Sequence, residues 1–141
     1  AQHARSLDLQ ASVTTDPNTA LAHCPLVVTC TPASAVVLHA LPRPDAFITA
    51  VGAFKPSMLE LCTALCQHCA RSGTVVVDTA DAVHEAGDLL QAGLDVNAFQ
   101  TLGDIVRSST RNAQGPVLFK SCGWAGWDLA AARLACRNAN G

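Results

Sequence analysis

The stretch Ala46-Phe47-Ile48-Thr49-Ala50-Val51-Gly52-Ala53-Phe54-Lys55-Pro56-Ser57-Met58-Leu59-Glu60-Leu61 decides the fold. A β-branched and apolar run stops at Gly52, a Lys-Pro pair follows, and a helical pattern opens at Ser57. In an open parallel sheet a strand delivers backbone to a ligand crevice at its carboxyl end in this way. Any chemistry is expected at Val51–Phe54.

Working outward, the same kind of apolar run recurs at Ala11–Thr14, Leu26–Cys30 and Thr74–Asp78, each predicted as a buried strand, and Pro116–Phe119 is predicted as a short strand. The intervening pieces read as helices. Asp16 as N-cap with Pro17 at the first position starts one over Asn18–His23. Ser57-x-x-Glu60 has the form of a capping box, which predicts a helix over Met58–Arg71 that ends at Ser72-Gly73. Further helices are expected over Gln2–Leu7, over Thr79–Leu90 and, long and rich in Ala and Leu, over Trp124–Asn138 toward Gly141. A weaker apolar pattern spans Ala98–Val106, and Ser108–Gly115 reads as a polar loop. Strands alternating with helices predict an α/β fold: a Rossmann-type parallel sheet with right-handed crossovers, covered on both faces. No G-x-G-x-x-G turn occurs, so the first strand–Gly-loop–helix unit of a dinucleotide-binding fold is expected to be lacking and the sheet partial.

Composition narrows the function classes. With 141 residues, half of them hydrophobic, the chain can bury a core as one domain. Only 14% of residues are charged and the net charge is -2, so no basic field for nucleic acid is present. No apolar run reaches the ~18 residues of a membrane span, and the first residues lack the apolar core of a signal peptide. The seven cysteines read as reduced, buried thiols of a cytoplasmic protein.

Three patterns suggest metal or ligand chemistry without supporting it. Cys62-x3-Cys66-x2-Cys69 has the spacing of an iron–sulfur motif, but such ligands come from a loop that wraps a cluster. On a helix these positions share one face with Met58, Leu59 and Leu65, which reads as packing. His84-Glu85-x-x-Asp88 lacks the second His of a zinc site, so no metal site is expected. Trp124 and Trp127, three apart, read as core or interface packing. Lys120, between the last strand and its helix, reads as holding either carbonyls or ligand.

Four segments in register resemble the ornithine cyclodeaminase/mu-crystallin family: Leu26–Thr31, Ala50–Leu61, Val75–Asp78 followed by Glu85–Leu90, and Phe119–Gly123 running into Asp128–Ala132. The resemblance implies an NAD(P)-dependent oxidoreductase of cyclic imino acids or amino acids, usually a homodimer more than twice this length. It implies NAD(P)H as cofactor, NADPH slightly preferred, and a small cyclic imino acid as partner. Residues 1–120 would be the second part of the Rossmann domain, and 121–141 the helix returning to the dimerisation and substrate domain. The phosphate loop and the Arg and Lys that grip the substrate carboxylate would precede Ala1, so the isolated chain is expected to be inactive.

The resemblance places Thr29, Thr31 and Pro32 on the ribose side of the cofactor, with Val51, Gly52 and Ser121 near the nicotinamide. Ala53, Phe54, Lys55 and Glu85 would border the substrate, and Glu85 alone would serve as a catalytic proton relay. For Glu85 an exposed helix charge is an equal alternative, and for Lys55 a solvated lysine. Cyclodeaminases resemble Val-Gly-Gly-Asp at the strand end, whereas this chain has Phe54 at the Asp position. A phenyl ring neither takes a proton nor activates water. Reduction of Δ1-pyrroline-2-carboxylate or Δ1-piperideine-2-carboxylate to proline or pipecolate is therefore expected ahead of ornithine cyclodeamination. A truncated, non-catalytic binding or assembly module is the rival from another class.

Overall fold

The computed structural model describes residues 2–32, 35–108 and 114–139. In chain order the elements are α1 (Gln2–Arg5), α2 (Pro17–Leu21), β1 (Leu26–Thr29), β2 (Phe47–Ala50), α3 (Thr63–Ser72), β3 (Thr74–Val77), α4 (Ala82–Glu85), α5 (Gly87–Gln91), β4 (Gln100–Thr101), α6 (Leu102–Ser108), β5 (Val117–Lys120) and α7 (Ala125–Ala139). The strands form one five-stranded sheet in the order β1-β2-β5-β3-β4, every pair parallel. The predicted α/β class and parallel sheet hold. β5, last in sequence, lies between β2 and β3, so the carboxyl ends of residues distant in sequence meet there.

Register sets the two faces of the sheet. Ile48 and Leu118 stand side by side with Val75 on the face covered by α3 and α5, and Leu65, Cys66, Cys69 and Leu89 pack on them. The opposite face carries Leu26, Phe47 and Val28 and is open at the β1 edge, where Leu26 is 75% and Val28 66% exposed. The expectation of cover on both faces therefore holds fully for one face, while the other is buried at Val76 and open toward β1.

Several predicted elements require correction. Ala11–Thr14 forms no strand; its apolar residues are too few to gain a neighbour in the ladder. The capping box at Ser57 is not used. Helix α3 begins only at Thr63, with Cys62 as N-cap: its Sγ accepts from the Leu65 N–H at 3.4 Å. Lys55–Leu61 is irregular, Met58 and Leu59 are off the helix, and Glu60 is drawn inward instead of capping. The single helix over Thr79–Leu90 divides into α4 and α5 at Ala86, whose ψ of 72° leaves the helical range. There Gly87 lies under the loop, and a Cβ on it would meet the carbonyls of Lys55, Pro56 and Met58. The pattern at Ala98–Val106 resolves into β4 and α6. Most of the loop predicted over Ser108–Gly115 falls outside the described residues, as does Gly141.

All seven cysteines are free, but only Cys66 and Cys69 are buried, while Cys24, Cys30 and Cys136 are exposed. Uniform burial is thus overturned, because the exposed three lie on loops or on α7, which has no buried residue. Of the core or interface packing expected for the tryptophans, the core alternative is excluded. Both are exposed, in an edge-to-face pair with ring centroids 6.4 Å apart.

The Asp16-Pro17 start is confirmed. Asp16 accepts from the Asn18 N–H at 3.0 Å and Pro17 occupies the first turn of α2.

Candidate functional site

The strand ends at Thr29, Ala50, Val77 and Lys120 point to one rim of the sheet. Two buried carboxylates organise this rim. Glu60 is completely buried. Its Oε1 accepts from the Thr31 N–H at 2.7 Å and the Thr31 hydroxyl at 2.9 Å. Its Oε2 accepts from the Thr29 hydroxyl and the Gly52 N–H, both at 2.8 Å. The loops that leave β1 and β2 are therefore tied to one side chain. Gly52 is the only residue type this arrangement admits, since a Cβ would run into the Thr31 carbonyl and the Glu60 carboxylate. Burial pushes the Glu60 carboxyl up, but hydrogen bonds from Thr31, Thr29 and Gly52 outweigh it and hold the group below its ordinary range.

Below Glu60 lies a second tier. The N–H groups of Glu60 and Leu61 donate to Asp88 Oδ1 at 2.7 and 2.9 Å. Asp88 Oδ2 pairs with Lys120 Nζ at 3.2 Å, both side chains fully buried. The Lys120 ammonium also donates to the carbonyls of Ala50 and Ala53. Of the two readings of Lys120, the structure shows the carbonyls, with Asp88 added. A buried pair of this kind is retained only with its remaining hydrogen bonds satisfied, which these carbonyls largely do.

On the other side of the rim Asp78, just past β3, binds the loop that leaves β5. Its Oδ2 accepts from the Ser121 hydroxyl at 3.0 Å and from the N–H groups of Cys122 and Gly123 at 2.6 and 2.8 Å. Burial pushes the adjacent Cys122 thiol up to about 12, so at neutral pH it is no nucleophile.

The predicted site residues are thus gathered at one rim but play unequal parts. Pro32, Val51, Phe54 and Lys55 are exposed, with the Lys55 ammonium 5.6 Å from the centre of the Phe54 ring. Thr29, Ala53 and Ser121 are buried: the hydroxyls of Thr29 and Ser121 are engaged by Glu60 and Asp78, and Ala53 has no exposed surface. Glu85 is half-buried at the end of α4. Glu60, Asp78 and Asp88 were not singled out from sequence as site residues. An acid set between Leu59 and Leu61 is the one sequence signal that could have marked Glu60 as buried. An open groove of about 680 Å³ adjoins the rim between Asp78, Thr101, Asp104, Trp124 and Trp127, and it includes none of the predicted cofactor or substrate residues. Among the described residues no group of three His, Cys, Asp or Glu side chains is placed to hold a metal ion, and no helix is long and apolar enough to cross a membrane.

Comparison with known proteins gives this rim a context. Delta(1)-pyrroline-2-carboxylate reductase 2 of Burkholderia ambifaria is 39% identical over 110 residues, 78% of this chain and 34% of that protein. Delta(1)-pyrroline-2-carboxylate/Delta(1)-piperideine-2-carboxylate reductase of Azospirillum brasilense is 39% identical over 110 residues, 78% of this chain and 34% of that protein. The chain therefore spans about a third of the length of the curated relatives it matches. The solved structure of Thermococcus litoralis Delta(1)-pyrroline-2-carboxylate reductase in complex with NADH and L-proline superposes with a TM-score of 0.80. At 23% identity, over 94% of this chain and 43% of that one, this likeness carries the fold. The profile of the ornithine cyclodeaminase/mu-crystallin family matches residues 1–141. The chain belongs to that family.

Proposed function

We propose that the whole polypeptide of which these residues form the rim is an NAD(P)H-dependent reductase of cyclic imino acids. It would convert Δ1-pyrroline-2-carboxylate or Δ1-piperideine-2-carboxylate to proline or pipecolate. The observation that carries this reading is the chemistry of the rim. Phe54 presents a half-exposed phenyl ring where deamination calls for an acid, and the rim carboxylates Glu60 and Asp78 are committed to backbone. Glu60 and Asp78 therefore position the rim and are not free to act as general bases. The relatives named above, reductases of this substrate class, support it.

The residues present fit one half of the cofactor. The exposed surfaces of Pro32 and Val51 offer an apolar wall beside a glycine, suited to a nicotinamide ring and ribose, whereas no G-x-G-x-x-G turn is present for the diphosphate. When bound, the cofactor supplies the hydride. Thr31 and Pro32 would border its ribose, Val51 and Gly52 its ring, and the loop carrying Ser121 its far side. Thr29 and Ser121 would act by holding those loops, since their hydroxyls are spent. Phe54, Lys55 and the backbone of Ala53 would border the substrate, with Glu85 as proton relay. Residues 1–120 would form the second part of the Rossmann domain, and 121–141 the return to a dimerisation domain in a homodimer.

The test is oxidation of NADPH and NADH by the full-length gene product with Δ1-pyrroline-2-carboxylate, beside ammonia release from ornithine. Reduction without ammonia release is expected, NADPH slightly ahead. No turnover above buffer, or ammonia from ornithine, refutes the reading. Residues 1–141 alone are expected to be inactive.

A further inference from the structure

We propose that Glu60 is a positioning residue: its carboxylate sets the spacing between the ends of β1 and β2, and with it the wall against which the cofactor lies. This rests on the cofactor-facing role given to Thr31, Val51 and Gly52 above. Nothing exposed belongs to Glu60, so it touches no ligand and acts through what it holds. The four donors come from the ends of two strands: Thr29 is the last residue of β1 and Thr31 follows it, and Gly52 follows β2. They converge on two oxygens from opposite sides, and the ladder bond from the Val51 N–H to the Thr29 carbonyl, 2.9 Å, closes the ring. Among the described residues the ladder between the two strands ends at that bond, and beyond it the Glu60 carboxylate bridges them.

The geometry requires an ionised carboxylate. Each oxygen faces one backbone N–H, Thr31 at Oε1 and Gly52 at Oε2. The threonine hydroxyls can rotate to accept a proton, but an amide N–H cannot. In Glu60→Gln, whichever way the amide turns, its NH2 group confronts a backbone N–H, and one donor is left buried and unsatisfied. An isosteric replacement at a site that merely fills space is nearly neutral. Here Gln is expected to behave like Ala.

The experiment uses the full-length gene product, with NADH as the probe. Titration by fluorescence gives the Kd, and hydrogen exchange gives the opening of the Thr31 and Gly52 amides. Circular dichroism checks the fold, and Cys69→Ala, in the core away from the rim, serves as the stability control. Glu60→Gln and Glu60→Ala are each expected to weaken NADH binding by roughly tenfold or more and to speed exchange at both amides by about tenfold. Cys69→Ala is expected to change neither. Should Glu60→Gln fail to fold, Thr29→Val, which removes one donor at nearly constant volume, is expected to weaken NADH roughly threefold.

Wild-type affinity and exchange in Glu60→Gln overturn the proposal, as does an equal loss in Cys69→Ala or an unchanged Kd in Thr29→Val. A wild-type protein that binds no NADH or NADPH sinks the proposed function instead. The positioning role is then decided by amide exchange alone, where unchanged rates in the variants overturn it.

Discussion

Asp78 and Glu60 each receive four hydrogen bonds at the carboxyl end of the sheet, from opposite halves of the rim. Asp78 directly follows β3, and its partners are its neighbour Thr79 and the first residues past β5, the adjacent strand. Glu60 follows no strand. It stands 31, 29 and 8 residues from Thr29, Thr31 and Gly52, on an irregular segment that has to be held in place itself. Asp88 and Lys120 do so, through the Glu60 and Leu61 amides and the Ala53 carbonyl. An anchor at a strand end is placed by the ladder. An anchor brought in from a loop needs a second layer of buried polar groups, so the Glu60 half of the rim has more ways to fail.

The largest expected effect follows from that second layer. Lys120→Met leaves Asp88 Oδ2 buried without a counter-charge and should cost about 3–5 kcal/mol in urea denaturation. That is a large part of a domain's stability. Asp78→Asn keeps one carbonyl oxygen for Cys122 and Gly123 and should cost less, about 1–3 kcal/mol. If Asp78→Asn proves the more damaging, the order of dependence between the two halves is wrong.

Acid should separate them further. The folded Glu60 carboxyl is held below its ordinary 4.5, so its contribution is complete above that pH and is lost as pH falls through the folded value. The stability difference between wild type and Glu60→Gln should therefore shrink below about pH 4.5 and stay constant above it, which paired denaturation curves would reveal. The smallest effect is expected at the outer lip. Lys55→Ala removes an exposed cation–π contact and should shift stability by no more than about 1 kcal/mol.

Much of the fold was legible in the sequence, because strand runs such as Phe47–Ala50 and the Asp16-Pro17 helix start are decided by residues next to one another. The end of β2 was legible too, since the apolar run gives way to Gly52 two residues past Ala50. The part played by Glu60 was not. Ser57-x-x-Glu60 satisfies a local helix-start pattern, but that turn gains about one capping interaction, whereas the buried site offers Glu60 four donors. Likewise Cys62 was read from its spacing as one position of a helix face, yet it became the helix cap itself.

By itself the sequence determined the parallel α/β class, the family, and the phenyl ring of Phe54 just past the end of β2. Only the tertiary structure decided which acids anchor that rim, that Lys120 spends its charge on Asp88, and that Thr29 and Ser121 hold loops. The physical reason is that strand formation follows from local side-chain and backbone preferences. Burial and hydrogen-bond partners, by contrast, come from residues tens of positions away, and they set the fate of a carboxylate.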